Sequence, residues 1–212
     1  KITGDYKNNF ITSSSGNDKL YGGDGDDILK SGAGDDEVYG EGGNDTIIHN
    51  GSGTQYYDGG AGNDTYILDL ENWDFPEDFI VEVDLTTGFS GYHLNHSHPL
   101  NDTVDNIENI TLKGDVNSVM IGDGLDNIIK TLGGDDLIRA GEGHDIIKAQ
   151  KGNDEIHAGG GNDYIRSGNG YDIISTGSGY DLKLISEIEK IVKVPLIICG
   201  GVGSYSDFKK GL

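Results

Sequence analysis

Apolar residues return along this chain every nine positions, each standing alone between mostly polar neighbours. Leu20, Leu29, Val38, Ile47, Tyr56 and, after one extra residue, Tyr66 form one series. Ile129, Ile138, Ile147, Ile156, Ile165 and Ile174 form a second. One apolar residue between two polar ones is the alternation of a short strand with a single side chain turned inward. The stretches between are rich in glycine, asparagine and aspartate, which accept left-handed backbone and close approach of other chains. Each unit is therefore a turn followed by a strand, as in "GGDGDDILK" (Gly22 to Lys30), which reads Gly-Gly-x-Gly-x-Asp-x-apolar-x. A unit with one inward side chain cannot bury it alone, but stacked units can. The period predicts an all-β solenoid in two repeat blocks, residues 1–67 and 113–181, separated by a connecting insert over 68–112.

The sixth position of the unit carries the candidate chemistry. It reads Asp18, Asp27, Asp36, Asp45, Thr54 and Asp64 in the first block. In the second it reads Asn127, Asp136, Asp145, Asp154, Asp163, Asp172 and Asp181. Stacking the turns sets these carboxylates and the backbone carbonyls at matching heights in successive layers. Anionic oxygen ligands in a flexible arrangement suit Ca²⁺ better than Zn²⁺ or Mg²⁺. A metal-free glycine turn is the competing reading, yet such a turn would accept Asn or Ser at this position. Eleven of the thirteen in-register positions hold Asp.

"GGDGDDILK", "AGEGHDIIK", "AGGGNDYIR" and "GGAGNDTYI" resemble the hemolysin-type, or RTX, nonapeptide repeat of secreted bacterial proteins. The resemblance implies a parallel β-roll with two nonapeptides per coil and Ca²⁺ held between turns along each edge. Asp18 would then face Asp36, and Asp27 would face Asp45. Asp136, Asp154 and Asp172 would share one edge of the second block, and Asp145, Asp163 and Asp181 the other. Thr54 and Asn127 depart from the pattern. The resemblance further implies about seven ions of the extracellular, oxygen-ligated type, secretion, folding triggered by calcium after export, and the type I secretion machinery as a partner of the parent protein.

Composition agrees with a cation-seeking chain. Thirty-seven Asp and Glu stand against 15 Lys and Arg, a formal charge of −22 on 212 residues, with 36 glycines. That balance argues against nucleic acid as a partner. No apolar run approaches the about 20 residues of a transmembrane segment. The single cysteine, Cys199, excludes an internal disulfide. The chain starts at a lysine without a signal sequence and is read as a piece of a longer protein. No Ser-His-Asp or paired-carboxylate arrangement emerges, so any catalytic domain of the parent protein is expected outside this chain.

Three other features need a reading. The insert contains Trp73 and an alternating run at Ile80, Val81, Val83 and Leu85 that predicts a strand continuing or flanking the roll, with aromatic residues capping one block. Its "YHLNHSHP" sets His93, His96 and His98 within six residues. A polar loop is preferred there over a transition-metal site. The ninth position of the second block reads Lys130, Arg139, Lys148, His157, Arg166 and Ser175. We read it as a solvated outer face that discourages aggregation, in preference to a polyanion-binding strip.

Beyond Asp181 the period stops. Leu182, Ile185, Ile188 and Ile191 fall at helical spacing, Pro195 ends that helix, and "PLIICGG" reads as a strand entering a glycine turn. The stretch 179–212 resembles part of the cyclase subunit of imidazole glycerol phosphate synthase, a (β/α)₈ barrel. The resemblance implies phosphate binding at Gly200 and Gly201. Only about 34 residues are covered where a barrel needs about 250, so a barrel-type lyase stands as the alternative function on this short α/β tail alone. A recombined join at Gly179-Tyr180-Asp181, or a helical cap on the last coil, would each explain the change.

Overall fold

The computed structural model describes residues 1–73, 79–93, 101–177 and 197–199. Its strands are β1 (Ile2–Thr3), β2 (Phe10–Thr12), β3 (Lys19–Asp24), β4 (Ile28–Lys30), β5 (Glu37–Gly42), β6 (Thr46–His49) and β7 (Tyr56–Asp58). Then come β8 (Thr65–Asp69), β9 (Ile80–Asp84), β10 (Phe89–His93), β11 (Asn101–Asp105), β12 (Asn109–Lys113) and β13 (Asn117–Ile121). The series ends with β14 (Ile128–Lys130), β15 (Leu137–Arg139), β16 (Ile146–Lys148), β17 (Glu155–Gly159), β18 (Tyr164–Arg166), β19 (Ile173–Thr176) and β20 (Ile197–Cys199). Among the described residues there is no helix.

Within the blocks, successive strands alternate between two sheets, and each pairs in parallel with the strand one coil away. Leu20 lies beside Val38, and Ile129 beside Ile147, both eighteen residues on, or two nonapeptides. The fold is therefore the parallel β-roll. Each strand places one side chain inside, and those columns form one continuous core: Leu20, Val38 and Ile138 from one sheet, Leu29, Ile47 and Ile147 from the other, all fully buried. Burying each such aliphatic stabilises the roll by about 1.5–3 kcal/mol.

The insert is part of the roll. The first sheet runs β1-β3-β5-β7-β11-β10-β9-β13-β15-β17-β19-β20, and the second β18-β16-β14-β12-β8-β6-β4-β2. Strand β11 joins β7 in parallel, β10 runs antiparallel between β11 and β9, and β9 joins β13 in parallel. The alternation at Ile80–Leu85 thus does form a strand, and Phe79, Val81 and Val83 are buried in the common core. Trp73 and Tyr92 pack against that core, so the aromatics are lateral packing along the coil stack.

Two columns differ from the sequence reading. The structure places Gln55 and Tyr57 where strict counting puts Thr54 and Tyr56. Tyr57 is buried while Tyr56 faces outward. The extra residue falls at His49–Asn50: Ile48 still pairs with Lys30, eighteen back, whereas Tyr56 pairs with Glu37, nineteen back. Secondly, the ninth-position column does not form one strip. Since successive units alternate between sheets, Lys130, Lys148 and Arg166 line the second sheet, and Arg139, His157 and Ser175 line the first.

In the tail, β20 pairs in parallel with β19, Ile197 beside Ile173, which agrees with a strand in "PLIICGG". The helix expected over 182–194 and the candidate phosphate loop at Gly200 and Gly201 lie outside the described residues.

Candidate metal centres on the two edges

Along each edge of the roll, sixth-position residues form a ladder. The backbone N–H of one donates to the side-chain oxygen of the next. On the edge leading into the first sheet, Asp18 donates to Asp36 Oδ1 (2.8 Å), Asp36 to Gln55 Oε1 (2.9 Å) and Gln55 to Asp102 Oδ1 (2.8 Å). The same edge resumes in the second block as Asp136 to Asp154 (3.0 Å) and Asp154 to Asp172 (3.2 Å). On the opposite edge Asp27 donates to Asp45 and Asp45 to Asp64, both at 2.7 Å, and Asp64 to Glu108 Oε2 at 2.7 Å. There Asn127 donates to Asp145 (2.8 Å) and Asp145 to Asp163 (3.1 Å). The edge-sharing pairs expected from the sequence are therefore brought together. Asp181 lies outside the described residues, as do His96 and His98 and the side chain of His93.

The ladder uses one oxygen of each carboxylate and leaves the other. Oδ2 of Asp27, Asp36, Asp45, Asp64, Asp136, Asp145 and Asp154 is buried without a hydrogen-bond partner. A buried charged oxygen left unpaired is costly, and natural folds avoid it unless an ion or catalysis explains it. These oxygens lean toward bare backbone. A Cβ added at Gly22 would fall 2.6 Å from the Gly40 carbonyl oxygen and nearer still to Asp27 Oδ2. A Cβ on Gly40 would meet Asp45 Oδ2 and the Gly59 carbonyl in the same way. Glycine at these two positions is required by space. The hollow it leaves pairs a carboxylate oxygen with a carbonyl from the next coil. Oxygen-only ligation by carboxylates and carbonyls at 2.3–2.6 Å is what Ca²⁺ takes. Among the described residues no three His, Cys, Asp or Glu side chains converge on one point.

Electrostatics agree. Burial pushes the carboxyls of Asp45, Asp64, Asp145 and Asp154 up to about 6 and that of Asp136 to about 7, and Asp27 is also raised. Neighbouring carboxylates add to the shift, Asp27 acting on Asp45 and Asp172 on Asp154. The sites are short of positive charge. A divalent cation supplies it.

Sequence reasoning missed a second ladder. Fifth-position side chains accept the N–H of the residue one coil ahead: Asn17 from Asp35, Asp26 from Asn44, Asp135 from Asn153 and His144 from Asn162. The Asn and Asp in that column were the signal. Their work is to clip turns together, and they are exposed. His49 was missed as well. It is buried, with Nδ1 3.1 Å from Asp102 Oδ2 and 3.0 Å from the Tyr57 hydroxyl.

A parallel stack of Gly-Asp turns with oxygen-lined edges defines a cation-binding β-roll. The family pattern described as the RTX calcium-binding nonapeptide repeat (four copies) matches residues 3–37, 21–52, 121–156, 139–174 and 149–182, more than half of the chain. The chain belongs to this family, and it binds calcium through a structural, non-catalytic fold. The matches end at 182, where the period ends. No curated protein matches the chain. Among the described residues no helix is long and apolar enough to cross a membrane.

Proposed function

We propose that this chain is the calcium-folded portion of a secreted protein, with Asp18, Asp27, Asp36, Asp45, Asp64, Asp136, Asp145, Asp154, Asp163, Asp172 and Asp181 as its carboxylate ligands. The observation that carries the reading is the set of buried Oδ2 atoms left without partners while Oδ1 is fixed by the preceding coil. Each ion would lie between consecutive turns, fixed by a carboxylate and by carbonyls such as that of Gly40. About seven ions would lower the formal charge from −22 to about −8. Extracellular sites of this type bind at roughly 10⁻⁴–10⁻³ M. At ten times Kd each would stabilise the fold by about 1.4 kcal/mol. Several together reach the order of a whole domain's stability, about 5–15 kcal/mol. In a calcium-poor cytoplasm that contribution vanishes and the carboxylate repulsion remains, which keeps the chain unfolded for export through a type I system.

Far-UV circular dichroism of the whole chain, in chelator and then in millimolar Ca²⁺, tests this. A cooperative gain of β signal is expected. Full β signal in chelator, unchanged by calcium, would show that the aliphatic columns suffice without the ion.

A further inference from the structure

We propose that the outer face of the second sheet, over β14, β16 and β18, binds a single extended chain of anionic polysaccharide. Register puts the outward residues of these strands in two straight rows along the roll. Ile128, Ile146 and Tyr164 form one, and Lys130, Lys148 and Arg166 the other. Successive members are one strand spacing apart, about 4.8 Å. Followed through the remaining strands, neither row holds an aspartate or glutamate. In a chain of net charge −22 that absence is selective, because the outer face of the first sheet carries Glu37, Asp58, Glu82, Asp105 and Glu155.

Like charges directly opposite on neighbouring strands destabilise a sheet. Lys130, Lys148 and Arg166 stand in that relation and make no ion pair among the described residues. Lys130 and Lys148 lie on interior strands of the sheet, so protection of a strand edge does not account for them, while Arg166 lies on its end strand. An anion laid along the row relieves their repulsion.

The surroundings select the kind of anion. Strands of three residues make a strip about 10 Å wide, bordered by exposed Asp126 and Glu142 on one side and exposed Asp115 and Asp135 on the other. A membrane plane or a nucleic-acid duplex would press on those acidic borders, while one thin chain would not. Single-stranded nucleic acid needs successive aromatic platforms, and Tyr164 is the only aromatic residue here. An acidic peptide would want free backbone groups, which a sheet face lacks. A carboxylated glycan fits all three constraints. Its charges recur once per sugar or two, its ring faces pack on the half-buried isoleucines, and Tyr164, 46% exposed, offers a stacking surface.

The experiment is calorimetric titration of the whole calcium-loaded chain with oligogalacturonate. Its neutral methyl ester, anionic phosphatidylserine vesicles and a single-stranded oligonucleotide serve as comparison probes. Lys130→Glu/Lys148→Glu/Arg166→Glu should weaken oligogalacturonate binding at least about tenfold, equivalent to about 1.4 kcal/mol. Arg139→Glu, on the opposite sheet, should leave it unchanged, and the methyl ester should bind weakly. If the triple variant loses its calcium-dependent circular dichroism, Lys148→Gln replaces it, with a smaller loss expected at that one position. Retained binding in the charge-altered variants would mean calcium-bridged adsorption to the acidic edges and would overturn the assignment. So would an equal loss in Arg139→Glu, or preference for vesicles or oligonucleotide.

Discussion

Asp154 shows how one carboxylate serves two purposes. Its Oδ1 accepts the Asp136 N–H, its own N–H donates to Asp172, and its Oδ2 is left without a hydrogen-bond partner, which on the proposed function an ion would supply. Asn can keep the first role and loses the second. Asp154→Asn should therefore weaken calcium binding, yet leave the residual β signal in chelator unchanged or higher, because a buried charge is gone. Asp154→Ala should also destabilise the calcium-loaded fold, since an N–H left unsatisfied costs about 1–3 kcal/mol. Asp18, half-exposed at the start of the array, should give the smaller calcium effect. Calcium titrations of the three variants, with β signal followed in chelator and urea unfolding at saturating calcium, check this, and equal small losses would remove Asp154 from the ligand set. The aspartate column was legible in sequence because eleven of its thirteen in-register positions hold the same residue. The fifth column was less legible, since Asn, Asp and His all accept one N–H equally well.

At the scale of strands, the period could be counted but its slip could not be located. A repeat with Thr54-Gln55-Tyr56-Tyr57 satisfies two registers, and only pairing chooses between them. Nor could counting show that the insert forms a meander within one sheet, because that depends on which neighbours β9 and β11 find. In the coil that precedes it, Gln55 stands in the aspartate ladder, and buried His49 lies against Asp102 of β11. An imidazole here gives the buried Asp102 carboxylate a side-chain partner that the ladder aspartates lack. His49→Ala should cost about 1–3 kcal/mol by leaving a buried polar oxygen unsatisfied. The loss should persist at saturating calcium. Amide hydrogen exchange of β6, β7 and β11 at rising calcium concentrations is the measurement. A defect that calcium erases would show that an ion, and not His49, secures this coil.

For the whole molecule, the raised carboxyls set a pH response opposite to that of most acidic proteins. Asp45, Asp64, Asp145 and Asp154 near 6 and Asp136 near 7 stand above the ordinary 3.8, so the folded metal-free chain holds more protons than the unfolded one. Their contribution is full below about pH 4 and is lost as pH rises through about 6 to 7. Metal-free stability should fall over that window, while calcium affinity should rise as protons leave the same oxygens. Far-UV circular dichroism in chelator from pH 4 to 8, paired with calcium titrations, would show both trends as β signal falling and affinity rising, and a pH-independent signal would refute them.

Between β7 and β13 the first sheet holds three strands where a regular coil supplies one, while the second sheet steps directly from β8 through β12 to β14. Two surplus strands lengthen one wall by about 10 Å, and facing walls of a β-sheet stack stand about 10 Å apart. A wall that is longer on one side only stays paired at both ends if the axis turns toward the shorter wall. The insert is thus the place where the two walls differ in length, and an axis turning there would send the two rows of oxygen-lined hollows along different lines.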